Sequence, residues 1–268
     1  EFFELTKGVK FKQARLVAFS STRKPGISCG QDKNLRALLE AGTKAVALFG
    51  KSWIFHTELM KITLAENLAM IGETVRYLKQ RGKEVIYDAE HFFDGYKDNP
   101  GYALETLLAA LRNGADWLVL CDTNGGTMPD EIGKITAEVG RRLAETPGCR
   151  PFRLGIHAHN DCGLAVANSL AAAQAGARMA QGTINGFGER TGNADLTAVI
   201  PNAQIKLGFA CLSAKELAGL KGLSLFVYET ANLVPNKSQP WVGDGVCTHK
   251  AGVHVNAVLK DPRSYEHS

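Results

Sequence analysis

The sequence predicts an α/β fold, an incomplete TIM (β/α)8 barrel with about six βα units visible, followed by the start of a helical C-terminal subdomain. Two observations lead there. Short apolar runs alternate with longer amphipathic stretches along most of the 268 residues. A phrase in which a helix ends on glycine and the chain re-enters a strand recurs at intervals of roughly 30–35 residues, the rhythm of a parallel βα array.

Strands are expected at 14–20, 45–50, 84–90, 116–123, 153–160 and 179–185. Each is a nearly continuous apolar run, as required of a parallel strand covered on both faces. Helical periodicity follows each one, at 33–41, 59–81, 102–113, 129–144, 163–175 and 196–207. Gly82, Gly114 and Gly176 stand where a left-handed C′ residue is wanted. Six strands do not close the usual eight-stranded barrel. The sheet is therefore either open and doubly wound, or part of a barrel with two units upstream of Glu1; the lack of an initiator Met favours the second. After Gly208 the pattern changes. A helix pair is expected at 213–231, a Pro/Asn-containing linker at 233–240, a glycine-rich stretch at 243–252 and a short periodic piece at 253–260. Residues 1–208 are thus expected to form the partial catalytic barrel, and 209–268 a helical linker and the start of a C-terminal subdomain.

Hydrophobic residues make up 45% of the chain, enough to bury a large core. No run of about 18 apolar residues exists to span a membrane. The opening Glu1-Phe2-Phe3-Glu4-Leu5 lacks the basic and apolar regions of a signal peptide. Cys29, Cys121, Cys149, Cys162, Cys211 and Cys247 are scattered without a C-x-x-C pair, which reads as reduced thiols in the cytoplasm. The net charge of +4 carries no Lys/Arg block. It suits an anionic small molecule and argues against nucleic acid.

Gly155-Ile156-His157-Ala158-His159-Asn160-Asp161 is the strongest candidate site. In a strand, residues i and i+2 share a face, so the two imidazoles project together near the C-terminal strand end, where barrels place their chemistry. Paired neutral imidazoles are a half-site for a divalent ion. One buried and one surface histidine beside a helix cap would leave the same spacing. The stretch 182–193 holds four glycines after a strand, suiting either a loop close to a ligand or a long turn. As a site wall it would offer the side-chain oxygen of Asn193. Tyr87-Asp88-Ala89-Glu90-His91 and Cys121-Asp122-Thr123-Asn124 close two further strands with polar groups, as a barrel site requires; Asp88 or Asp122 could equally be satisfied by nearby backbone amides. Lys51 and His56 face either the mouth or solvent. His249 and His254 are five apart, which does not place both on one helix face, so a second metal site is not expected.

Taken together with Phe49-Gly50-Lys51-Ser52-Trp53, the run from Tyr87 to Tyr96, His157-Ala158-His159-Asn160-Asp161 and Gly188-Glu189-Arg190-Thr191-Gly192-Asn193, the chain resembles the isopropylmalate, homocitrate and citramalate synthases of the metallolyase barrel group. The resemblance covers essentially all of it and is strongest to the citramalate synthase branch. It implies an acyltransferase that condenses acetyl-CoA with a 2-oxo acid, pyruvate in that branch, and hydrolyses the thioester. His157 and His159 would bind a divalent ion (Mg2+, Mn2+ or Zn2+), completed or buttressed by Asn193. Thr123 would hydrogen-bond the substrate carboxylate. Glu90 would position the acetyl methyl group or assist its deprotonation. His254 would act in acid–base chemistry at the partner subunit's site in a homodimer. Leu48, Phe92 and Phe93 are expected to fill space in the acceptor pocket and favour the small acid. A cytoplasmic enzyme of isoleucine biosynthesis is implied.

One departure stands out. The family's opening strand carries an Asp-x-x-Leu-Arg-Asp-Gly signature supplying a metal-ligand Asp and a catalytic Arg, and no such stretch occurs here. We therefore expect a piece of a longer enzyme, inactive alone, weak in metal binding and exposing a barrel seam prone to association. Isopropylmalate or homocitrate synthesis is the alternative within the family. A hydroxyacyl-CoA lyase of the same barrel group resembles a pattern with a cysteine in the glycine-rich loop, and 182–193 has none. A non-catalytic barrel remnant is the reading outside enzymology.

Overall fold

A computed structural model of the chain describes residues 1–6 and 8–265. The last three positions of the expected C-terminal segment, 266–268, lie outside the described residues.

The chain divides into two compact units, Glu1–Gln181 and Gly182–Ser268. The first holds strands β1 (Val17–Ser21), β2 (Ala45–Lys51), β3 (Glu84–Glu90), β4 (Trp117–Asp122), β5 (Leu154–Ala158) and β6 (Met179–Gln181). All pairs are parallel and the spatial order is β1-β2-β3-β4-β5-β6. An order that never reverses is the singly wound arrangement of a barrel wall and excludes the doubly wound alternative. Right-handed crossovers then place every connecting helix on one face. A short helix α1 (Phe2–Leu5) precedes β1, and the connecting helices are α2 (Lys33–Glu40), α3 (Ile54–Leu59), α4 (Leu64–Lys79), α5 (Phe92–Asp98), α6 (Pro100–Arg112), α7 (Pro129–Glu145) and α8 (Ala165–Gln174).

Local chemistry explains the boundaries. The Asp32 carboxylate caps α2 by accepting from the amides of Asn34 and Leu35, and the Asn99 amide oxygen caps α6 by accepting from Tyr102 N. Gly82, Gly114 and Gly176 adopt φ of +72°, +106° and +108°, as their C′ positions require. The helix expected at 59–81 begins later, at Leu64, because α3 ends at Leu59 and Thr63 caps α4, its hydroxyl accepting from Glu66 N at 3.1 Å. Helix α5 was not anticipated, because a seven-residue segment containing glycine carries little periodic signal. Its Gly95 packs against the backbone of β2's exit, where a Cβ would lie 2.3 Å from the Ser52 carbonyl oxygen.

The sheet has two cores. On the helix-facing side Val46, Leu48, Val85, Tyr87, Leu118, Leu120 and Ile156 are wholly buried. On the inner side Ala47, Ile86, Val119 and Cys121 cluster, with Trp117 and Met179 against them. The sheet is also strongly curled. Gln181 of β6 donates to Asp88 of β3 at 3.0 Å across the inner face, although two strands intervene. In a flat sheet those strands would stand roughly 14 Å apart.

The second unit contains α9 (Leu196–Pro201), α10 (Ala214–Ala218), α11 (Leu220–Thr230) and α12 (Gly252–Lys260). A π-helical turn over Asn202–Lys206 follows Pro201 within the helix expected at 196–207. The helix pair expected at 213–231 and the piece at 253–260 are α10, α11 and α12. Residues 182–208, which the sequence groups with the barrel, cluster instead with the tail. A buried polar network ties them there: Gln239 Nε2 donates to Asn185, Asp195 and Thr197, and Tyr228 donates to Gln239.

Candidate active site

Parallel register aligns the inner-facing side chains in rows. One row runs Phe49, Asp88, Val119, Gly155 and Met179. The next, at the C-terminal strand ends, carries Lys51 beside Glu90, and Cys121, His157 and Gln181. The chemistry-bearing groups thus stand on top of an apolar plug, the arrangement of a barrel active site.

His157 and His159 do project together. Their Nε2 atoms are 2.9 Å apart and the rings meet at 60°. Two imidazole lone pairs at that distance repel unless a proton or a cation lies between them. A divalent ion shared between the two nitrogens would relieve that repulsion. Burial, with His159 alongside, pushes His157 down to about 4, so the imidazole is neutral and competent as a ligand near neutral pH. Its Nδ1 lies 3.0 Å from Gln181 Oε1. Among the described residues, no group of three or more His, Cys, Asp and Glu could hold a metal ion.

Beside this pair, Lys51 Nζ donates to the Glu90 carboxylate, both side chains being about one-quarter exposed. The Thr123 hydroxyl accepts from His91 N at 2.8 Å, which ties the end of β4 to the end of β3. His91 has a left-handed backbone, φ 54°, and its Nδ1 lies 3.2 Å from Asp94. The His56 ring sits 4.3 Å from that of His91; its Nδ1 is buried without a hydrogen-bond partner, and burial lowers its proton affinity.

The structure thus gathers His157, His159, Glu90 and Thr123 at the strand ends of the first unit. Leu48 is not among them. It alternates to the opposite side of β2 and is wholly buried beneath the helices, and Phe92 and Phe93 are likewise fully buried in α5. Asp122 also faces the helices, where it accepts from Thr127 and Asn168 as a structural anchor. Asn193 and His254 belong to the second unit. There Asn193 donates its side-chain amide to Phe187 O at 3.2 Å. The glycine-rich loop is tightly folded: a Cβ on Gly192 would lie 2.0 Å from Gly186 O. His254 lies exposed on α12, its ring 5.5 Å from that of Tyr265, and His249 precedes the helix.

Gln181 and the Lys51–Glu90 pair were missed at the sequence level. The signal was there in the strand period: counting by two from Met179 puts Gln181 on His157's face, and the same count puts Lys51 and Glu90 beside each other.

The HMGL-like family model matches residues 11–221. The chain is 52% identical over 269 aligned residues to an (R)-citramalate synthase from Synechocystis sp., and 53% identical over 267 to another from Aquifex aeolicus. These alignments cover 100% and 99% of this chain and 49% of each relative, so the chain spans about half the length of the curated relatives it matches. The HMG-CoA lyase structure from Bacillus subtilis superposes with a TM-score of 0.69 over 90% of this chain and 78% of that one, at 17% identity. A likeness at that identity speaks for the fold alone, and it is the same barrel architecture. A six-stranded, singly wound wall with a histidine pair at its C-terminal strand ends, matched by the family model over most of its length, makes this chain a member of the HMGL-like family.

Proposed function

We propose that the chain is the larger part of the catalytic barrel of an acyltransferase that condenses acetyl-CoA with a 2-oxo acid, pyruvate being the acceptor, to give citramalate and CoA. The observation that carries this reading is the identity of about one-half to proteins named (R)-citramalate synthase, sustained over the whole chain. The inner-face row of His157, Glu90 and Lys51 supports it chemically.

In this reading the methyl carbon of acetyl-CoA forms a bond to the carbonyl carbon of the acceptor, and water then cleaves the thioester to release CoA. Glu90, held by Lys51, positions the methyl group or takes its proton. Thr123, oriented by the His91 amide, hydrogen-bonds the acceptor's carboxylate. His157 and His159, with Asn193 as an oxygen donor, are the residues that would hold a divalent ion, Mg2+, Mn2+ or Zn2+. Lewis-acid polarisation of the acceptor's carbonyl and stabilisation of the developing alkoxide is what such an ion supplies when bound. His254 serves as an acid–base group delivered by a second subunit of a homodimer. No helix among the described residues is long and apolar enough to cross a membrane, and a place in the cytoplasm, in isoleucine biosynthesis, is part of the proposal.

The test is thiol release from acetyl-CoA by the full-length protein with Mg2+ or Mn2+ and a panel of 2-oxo acids. Turnover confined to pyruvate is expected. Turnover chiefly with 2-oxoisovalerate or 2-oxoglutarate would overturn the acceptor, and no thiol release with any acid would overturn the condensing reaction.

A further inference from the structure

One contact chain on the inner face is not used by the reaction as proposed. It starts at Asp88, passes through Gln181 and ends on His157, joining β3, β6 and β5. Asp88 is buried and its hydrogen-bond partner among the described residues is Gln181. Its neighbours in the row, Val119, Gly155 and Met179, offer no polar alternative.

We infer that Asp88 and Gln181 are positioning residues that fix the tautomer and ring orientation of His157. Asp88 accepts through a carboxyl oxygen whether or not it is ionised, and the Gln181 amide turns its NH2 toward that oxygen, the two atoms lying 3.0 Å apart. That leaves Gln181 Oε1, an acceptor, against His157 Nδ1 at 3.0 Å. Nδ1 must then carry the hydrogen. Nε2 therefore carries the lone pair, and Nε2 is the atom that faces His159 at 2.9 Å. The opposite setting of the amide would put oxygen against carboxylate oxygen and would place the hydrogen on the nitrogen meant to ligate. Partners that orient a ligating histidine through its other nitrogen raise its basicity and hold its ring. Here the orienting carboxyl acts at one remove, and the amide is the element that converts its acceptor character into a tautomer choice.

The inference rests on the metal reading of the histidine pair, so its test reads binding directly. The dissociation constant of the full-length protein for Mn2+ is measured by the paramagnetic resonance signal of the free ion, with thermal midpoints recorded alongside. Gln181→Met keeps the volume and removes both hydrogen bonds; its Mn2+ constant should rise about 10- to 100-fold. Asp88→Leu leaves Gln181 and both histidines in place but frees the amide to turn, and should weaken binding in the same direction by about tenfold. Asp88→Asn, which keeps an oxygen acceptor for Gln181, should stay within about threefold of wild type. Asp88→Leu provides the measurement if Gln181→Met does not fold. Wild-type affinity in folded Gln181→Met or Asp88→Leu, with only a lowered thermal midpoint, would show a packing role and overturn the inference while leaving the proposed function standing. A wild-type protein that binds no Mn2+ would overturn the metal reading itself, and the inference with it.

Discussion

Acidifying this chain sets two buried inner-face groups against each other. Burial, partly offset by the hydrogen bond from Gln181, raises Asp88 from 3.8 to about 7. Burial, reinforced by neighbouring His159, lowers His157 from 6.5 to about 4. Between about pH 3.8 and 7 the folded chain holds the Asp88 proton more tightly than the unfolded chain does. The Asp88 contribution is therefore fully present below 3.8 and is lost as the pH rises toward 7. His157 has the opposite sign: the unfolded chain binds its proton more readily between about 4 and 6.5, so stability is present above 6.5 and is lost as the pH falls toward 4. At about 1.4 kcal/mol per pH unit, these gaps correspond to about 4 kcal/mol for Asp88 and about 3 kcal/mol for His157. The two nearly cancel in the wild type across their shared window. Urea denaturation of wild type, Asp88→Asn and His157→Gln in the absence of metal, at a series of pH values, separates them. Taken as differences from wild type, so that other carboxylates drop out, Asp88→Asn should lose about 3 kcal/mol on acidification from pH 7 to 4. His157→Gln should gain about 3 kcal/mol over the same range. Difference curves that stay flat for both variants would refute the assignment of these two groups as buried and oppositely perturbed.

Two further outcomes follow from where side chains sit. Leu48→Ala opens a cavity beneath the helices and should cost about 2–5 kcal/mol in a denaturant titration, while leaving the choice of 2-oxo acid by the full-length protein unchanged. A changed acceptor preference would return Leu48 to the substrate pocket. Phe19, on edge strand β1, is 62% exposed and stacks on Phe49, with ring centroids 5.6 Å apart. Sedimentation of the isolated 268-residue chain should show concentration-dependent association that Phe19→Lys reduces. Monomers at all concentrations would contradict it.

The strand–helix alternation was legible because parallel strands covered on both faces leave an unbroken apolar signature, and because glycines mark the helix ends. What the sequence left open was how the strands are ordered. Periodicity cannot tell a doubly wound sheet from a barrel wall, since both alternate strand and helix, and only the pairing of β1 through β6 in sequence decides it. The histidine pair was legible for a local reason: residues two apart in a strand share a face. Leu48 was misplaced because that rule was not applied to β2, where it is Ala47 and Phe49 that share the inner face. Gln181 carried only its strand phase as a mark. Its importance comes from Asp88, 93 positions earlier, which only the curl of the sheet brings within 3.0 Å.

The proposed function requires the full-length protein to make a carbon–carbon bond. The most direct test supplies that protein with pyruvate and acetyl-CoA carrying carbon-13 in its methyl group, and follows the label by NMR. The label is expected in the methylene carbon of citramalate, a chelator should stop its appearance, and added Mg2+ or Mn2+ should restore it. Label found only in free acetate, with CoA released and no new bond formed, would contradict it.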